Sequence, residues 1–335
     1  MTVTLVFVLL LVLAAEFANG MTDAPNAIAT VVSTRVLSPR KAVVMAASME
    51  IIGAIITTLT GTAVASTIGK GIVRPEVIGL HTVAAALITI LLWTTLAWRL
   101  GLPTSKTHEM VAGLAGAGLA AAGPSVLLWS GWEKVLIGLV LALVLGFTFG
   151  YILMNVIYRV FNHFSLFKVR KTFGRLQIFS SAFMAFSHGT NDGQKFMGIF
   201  TLALVLGGII PEFKVPIWVI LLCGLVMGCG TITGGWRIIK TMGFKLTRLE
   251  PVNGFTAETS SGLGIVLCTL AGIPISTTHT INSAIMGVGA TRRFSAVRWG
   301  VTRRIVVTWL LTFPACGIMG FLLALLLKFL FPAMA

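Results

Sequence analysis

Apolar residues run almost unbroken through residues 5–33, 42–68, 77–98, 103–123, 135–158, 176–208, 215–236, 254–272, 274–290 and 305–331. A helix needs about 20 such residues to cross the hydrocarbon of a bilayer, so the pattern predicts about ten crossings. Two stretches are interrupted where lipid would tolerate no interruption. TVTLVFVLLLVLAAEF is apolar enough for lipid, yet ANGMTDAPN then places Gly20, Thr22, Asp23, Pro25 and Asn26 in the middle of the same stretch. SHGTNDGQK does the same to the stretch around Asn191 and Asp192.

Composition settles the class. Only 10% of residues are charged and mean hydropathy is +0.97, whereas soluble domains carry about 25% charged residues. The expected fold is an all-α integral membrane protein in the cell (plasma) membrane. A net charge of +15 raises nucleic acid as a partner, but the placement of the charge removes it. With loops assigned alternately to the two sides, one side holds 19 Lys and Arg and the other 4. By the positive-inside rule the rich side is cytoplasmic, which puts both termini outside. Residues 1–20 lack the basic start of a signal peptide, and Glu16 intrudes before any cleavage site. Cys223, Cys229, Cys268 and Cys316 stand singly in apolar stretches and read as packing residues.

The interruptions are duplicated. Gly20 and Asp23 recur as Gly189 and Asp192, at an offset of 169 residues. Further along, LPTSKTHEMVAGLAGAG from Leu102 recurs as IPISTTHTINSAIMGVG from Ile273, at an offset of 171. Two motifs in the same order at nearly one offset mark an internal duplication, with a first repeat at 1–161, a basic cytoplasmic linker at 162–175 and a second repeat at 176–331. Five crossings per repeat is an odd number, so the second copy enters the membrane from the opposite face. Inverted repeats of this kind, with broken or reentrant helices at the midplane, are a transporter architecture. Whether 103–123 and 274–290 cross fully or turn back is left open by length alone.

An acid at the bilayer centre costs about 2.5–3.5 kcal/mol on insertion scales unless something compensates it. Gly20 with Pro25, and Gly189 with Gly193, are expected to unwind their helices and bare carbonyl oxygens. With the side chains of Thr22, Asp23, Asn26, Asn191 and Asp192, these would form an oxygen-rich cation site. A pair of structural kinks with acids bonded to neighbouring helices is the plainer alternative. PTSKTH and PISTTH are helix starts, where free N–H groups, hydroxyls and the positive end of the helix dipole suit an anion. Thr104, Ser105 and Thr107 with Ser276, Thr277 and Thr278 are the candidate donors to a tetrahedral oxyanion. The same residues also serve as ordinary helix caps.

NGMTDAPNAIATVVSTR, SHGTNDGQK and the paired PTSKTH and PISTTH segments resemble the inorganic phosphate transporter (PiT) family over nearly the whole chain. The resemblance implies an inverted-repeat phosphate symporter, driven by sodium or protons, with coupling roles for Asp23 and Asp192 and phosphate contacts from the Ser/Thr helix starts. No cofactor beyond the coupling ion, H+ or Na+, is implied. Two departures stand out. Thr22 replaces the amide expected before the first acid, and Lys195 occupies the place that Asn26 holds in the first half. A fixed ammonium at 195 is expected to do the work of one cation, neutralising Asp192 or the substrate, and to favour proton coupling. A Lys195 that only pairs structurally with Asp192 is the alternative.

Glu50 and Glu258 are further acids in apolar stretches, and Glu258 is a candidate proton carrier. His108 and His279 read as capping or packing groups. Sulfate is the rival substrate and an anion channel the rival mechanism. An enzyme is disfavoured, since HExxH is absent and GLAGAGLAAAG follows no strand. A homo-oligomer is compatible with everything above.

Overall fold

The computed structural model describes residues 2–331. Helices α1 (Val3–Ser33), α2 (Pro39–Thr60), α3 (Ala63–Gly71), α4 (Leu80–Leu100), α5 (Lys106–Ala122) and α6 (Trp129–Phe161) make up the first half. The second half holds α7 (Leu166–His188), α8 (Gln194–Leu206), α9 (Ile217–Thr233), α10 (Trp236–Lys240), α11 (Pro251–Leu270), α12 (Thr277–Ala290) and α13 (Trp299–Leu330). A π-helical turn, Gly189–Gly193, joins α7 to α8. The order recurs: a long helix with a polar centre, a second helix, a short one after a glycine break, a hairpin, a 3-10 turn and a helix of more than 30 residues. Among the described residues there is no strand, only an isolated bridge between Val73 and Leu127.

The halves interlock. α1 packs on α9 and α7 on α2, while α5 lies against α13 and α12 against α6. Each of these pairs joins one half to the other. Large apolar side chains such as Val140, Val144, Leu310 and Leu322 remain exposed along α6 and α13. A helical surface of this kind is stable in hydrocarbon because its backbone polar groups are satisfied internally.

Among the described residues, five helices are long and apolar enough to cross by themselves: α1, α2, α4, α6 and α13. α9 with the segment Trp236–Lys245 makes a sixth, bent by 59° at the break. Length and composition thus support fewer independent crossings than the ten expected. The differences are instructive. α5 and α12 have 17 and 14 residues, about 26 and 21 Å at 1.5 Å per residue, short of the ~30 Å hydrocarbon core. Both begin at buried residues, Ser105 and Ser276, so each starts inside the molecule and runs outward. α7 begins at Leu166, so most of the segment read as a linker is helical, capped by Ser165, whose hydroxyl accepts from the Lys168 N–H at 3.4 Å.

The expected unwinding does not occur at the first acid. α1 is one 31-residue helix that runs through Gly20, Asp23 and Pro25. At the second acid the helix widens into the π turn instead of opening, a distortion that often accompanies functional sites. The glycines serve close approach rather than unwinding. A Cβ at Gly20 would lie 2.1 Å from the Met227 carbonyl oxygen, and one at Gly189 would lie 2.1 Å from that of Glu50. The neighbouring helix sits directly on each bare glycine, which holds the backbone in helical form.

Candidate functional site

α1 and the α7–α8 helix bring their polar centres together. Carboxylate oxygens of Asp23 and Asp192 and a ring nitrogen of His188 all lie within 4.8 Å of one another, fully buried. The N-termini of α5 and α12 meet the same point. Thr278 donates to Asp23 Oδ2 at 3.2 Å and Thr277 to Asp192 Oδ2 at 3.3 Å. Asn26 Nδ2 donates to Asp23 at 3.2 Å and reaches both threonine hydroxyls, at 3.4 and 3.0 Å.

Each acid faces an ammonium. Lys195 Nζ donates to Asp192 Oδ1 at 2.6 Å and to the Ile275 carbonyl at 2.9 Å. Lys106 Nζ lies 3.7 Å from Asp23 Oδ1 and 3.0 Å from Glu109 Oε1. Taking charges out of water costs several kcal/mol per ion, so burial is tolerated here because each acid has a cationic neighbour and further hydrogen bonds. The layout follows the spacing of the recurring motifs. Lys195 stands 169 residues after Asn26 and Thr277 stands 171 after Lys106. Each motif pair therefore supplies one neutral donor and one ammonium, in opposite halves.

Other expected residues bond mainly to groups outside the paired acids. Ser105 and Ser276 cap α5 and α12, accepting from the N–H groups of His108 at 3.3 Å and His279 at 3.2 Å. Thr104 donates to Glu109 at 2.6 Å, and Thr107 to the Ile275 carbonyl at 3.2 Å. The Thr22 hydroxyl is engaged mainly by the Ala18 carbonyl, at 2.7 Å. Asn191 Nδ2 donates to Thr269 at 2.8 Å, while its Oδ1 is buried without a hydrogen bond. Glu258 stands apart from the paired acids and accepts from Thr30, Ser180 and Gln177. His108 and His279 pack edge to face, 4.6 Å apart, and His279 stacks on Trp309.

Three participants were missed in the sequence. His188 Nε2 lies 3.4 Å from Asp192, and its Nδ1 lies 2.8 Å from Glu50, which also accepts from Thr231. Its place four residues before Asp192, one helical turn, was the available signal. Lys106 is one of the 19 basic residues that the alternation of loops assigns to the cytoplasmic side, yet it is 2% exposed. Eighteen basic residues remain on that side, against four. Glu109, three residues after Lys106 in an apolar segment, is the sequence sign of that pairing.

A helical bundle whose interlocked halves enclose paired acids and ammoniums between two helix starts defines a multi-pass membrane protein with an ionic site deep in its interior. A sequence profile of the phosphate transporter family matches residues 19–320, and the chain belongs to that family. It is 39% identical to a probable low-affinity inorganic phosphate transporter of Bacillus subtilis, over 99% of this chain and all of that one. It is 42% identical to a protein of the same description from Rhizobium meliloti, over 96% of this chain and 97% of that one. Among solved structures, one described as the sodium-dependent phosphate transporter superposes with a TM-score of 0.88 at 25% identity. That match covers 98% of this chain and 100% of the other.

Proposed function

We propose that this protein is a carrier, neither enzyme nor channel, that imports inorganic phosphate by symport with protons. Access to the buried site alternates between the two sides of the plasma membrane, with both termini outside. Inverted repeats at 1–161 and 176–331, joined through 162–175, frame the cycle. The observation that carries this reading is the convergence of Asp23, Asp192, Lys106 and Lys195 on the threonines at the start of α12.

Protons rather than sodium follow from the partners of the acids. A sodium ion needs several oxygen ligands, and the position beside Asp192 is taken by an ammonium at 2.6 Å. A proton on Asp192 cancels that pairing and frees the Lys195 ammonium for a phosphate oxygen. The same exchange at Asp23 frees Lys106. Threonine hydroxyls and the N-terminal end of α12 supply further donors. Hydrogen phosphate also carries a P–OH, which sulfate lacks, and it can donate to a carboxyl oxygen of either acid. The site therefore selects phosphate through its acceptors as well as its donors.

Uptake of labelled phosphate by proteoliposomes tests this. With an acidic exterior and no sodium, uptake is expected to proceed, to survive excess sulfate and to be lost in Asp192→Asn. Uptake that requires sodium at every pH would sink the proton assignment.

A further inference from the structure

Four parts of the chain on the basic face surround a cavity of about 490 Å3, whose lining includes Arg35, Arg170, Arg248 and Arg298 with Thr34 and Glu250. The positive-inside rule asks only that basic residues lie near helix ends; it does not ask that four arginines from distant parts of the chain converge on one hollow. Glu250 is the only carboxylate in the lining. It is paired with Arg292 at 2.9 Å, whereas the four lining arginines make no ion pair among the described residues. Arg35 is also the only described non-glycine residue with positive φ, at 62°, an uncommon backbone conformation for such a side chain. It sits where α1 ends, at the rim of the cavity.

A buried polar column connects this cavity to the ionic site along α1, α7 and α11. From the inside outward, Asn26 bonds to Asp23, and Ser181 donates to the Ala27 carbonyl at 2.8 Å. Thr30 and Ser180 donate to Glu258, which also accepts from Gln177 at 3.2 Å. Thr34 then donates to Gln177 Oε1 at 2.8 Å, and the next residue is Arg35. The eleven steps from Asp23 to Thr34 span about 16 Å of helix. α1 also buries Glu16 and Asn19 on the far side of Asp23; between Asp23 and the cavity its polar positions, with those of α7 and α11, form a stripe of hydroxyls, amides and one carboxyl, closed here by its own hydrogen bonds.

We propose that the arginine-lined cavity is a second phosphate site: the cytoplasmic vestibule that receives inorganic phosphate from the ionic site, with the Thr34–Gln177 hydrogen bond closing the way between them. This rests on the phosphate-import reading above. Guanidinium groups match phosphate oxygens in planar, paired geometry. A lipid headgroup offers the same chemistry from a second source, and the test separates the two.

Full-length protein in phosphatidylcholine vesicles is assayed by exchange of labelled inorganic phosphate from each side. In the double variant Arg248→Gln, Arg298→Gln, the ratio of cytoplasmic-side to external-side KM should rise about fivefold, the scale of weak charge pairs at a surface. Arg35→Gln with Arg170→Gln, on the other wall, should do the same, and lysine at either pair should restore the ratio only in part, since it returns the charge without the planar fork. An unchanged ratio overturns the vestibule. So does an effect that appears only when the vesicles contain phosphatidylglycerol, which would assign the arginines to a lipid headgroup. If the unaltered protein exchanges no phosphate from either side, the import reading itself has failed before any arginine is changed.

Discussion

Asn26 and Lys195 hold equivalent places in the duplicated motif, three residues after an acid, and both reach that acid's carboxylate. An i,i+3 spacing puts both groups on one helix face, so the local geometry was legible from sequence. What the exchange of amide for ammonium does to the coupling ion is a chemical question with a direct test. Lys195→Asn restores the amide and leaves Asp192 without its ammonium. Uptake at fixed pH should then gain a stimulation by sodium of about tenfold, the factor that ~1.4 kcal/mol of cation binding gives. Flux measured with and without a sodium gradient reads it directly, and no stimulation would show that the ammonium is not what excludes sodium. Lys106 and His188 were not legible in the same way. A lysine near a span end looks like a loop charge until the fold buries it, and a histidine acquires its role only when Glu50, 138 residues away, meets its Nδ1.

At the scale of elements, the apolar pattern located the helices well and misjudged their interiors. Glycine and proline beside an acid were expected to break α1, but glycine also permits two helices to touch, and packing settled the matter in favour of contact. Gly189→Ala sets a Cβ 2.1 Å from a backbone oxygen of α2, which cannot move aside as a flexible side chain would. The substitution should cost about 1–3 kcal/mol and lower the midpoint of thermal unfolding in detergent. Gly174→Ala, on the same helix with nothing within 4 Å, should be neutral or stabilising by up to ~1 kcal/mol through helix propensity. Equal effects at the two sites would deny that close approach is what position 189 requires. The short helices α5 and α12 follow the same logic, since their lengths suit a start at the buried site and a single run outward.

Over the whole molecule, the interlocking of the halves turns two modest motifs into one site. Their opposite insertion is the arrangement to test. In a background without its native cysteines, Ser165→Cys between α6 and α7 should react with an impermeant thiol reagent only from the cytoplasmic side. Glu212→Cys between α8 and α9 should react only from outside. Labelling of both from the same face would contradict the alternation on which the inverted topology depends.

Hydropathy and the repeated motifs were local properties, readable in order along the chain, and they determined the membrane class, the recurrence of the motifs, the two acids and the two hydroxyl-bearing helix starts. Tertiary structure decided which group answers which. Thr278 reaches Asp23 across 255 residues of sequence and Thr277 reaches Asp192 across 85, while Ser105 and Ser276 stay behind as caps. The continuity of α1, the burial of Lys106 and the pairing of His188 with Glu50 belong to the same category. The reason is physical: lipid leaves each buried charge dependent on partners brought by other helices, and only packing selects them.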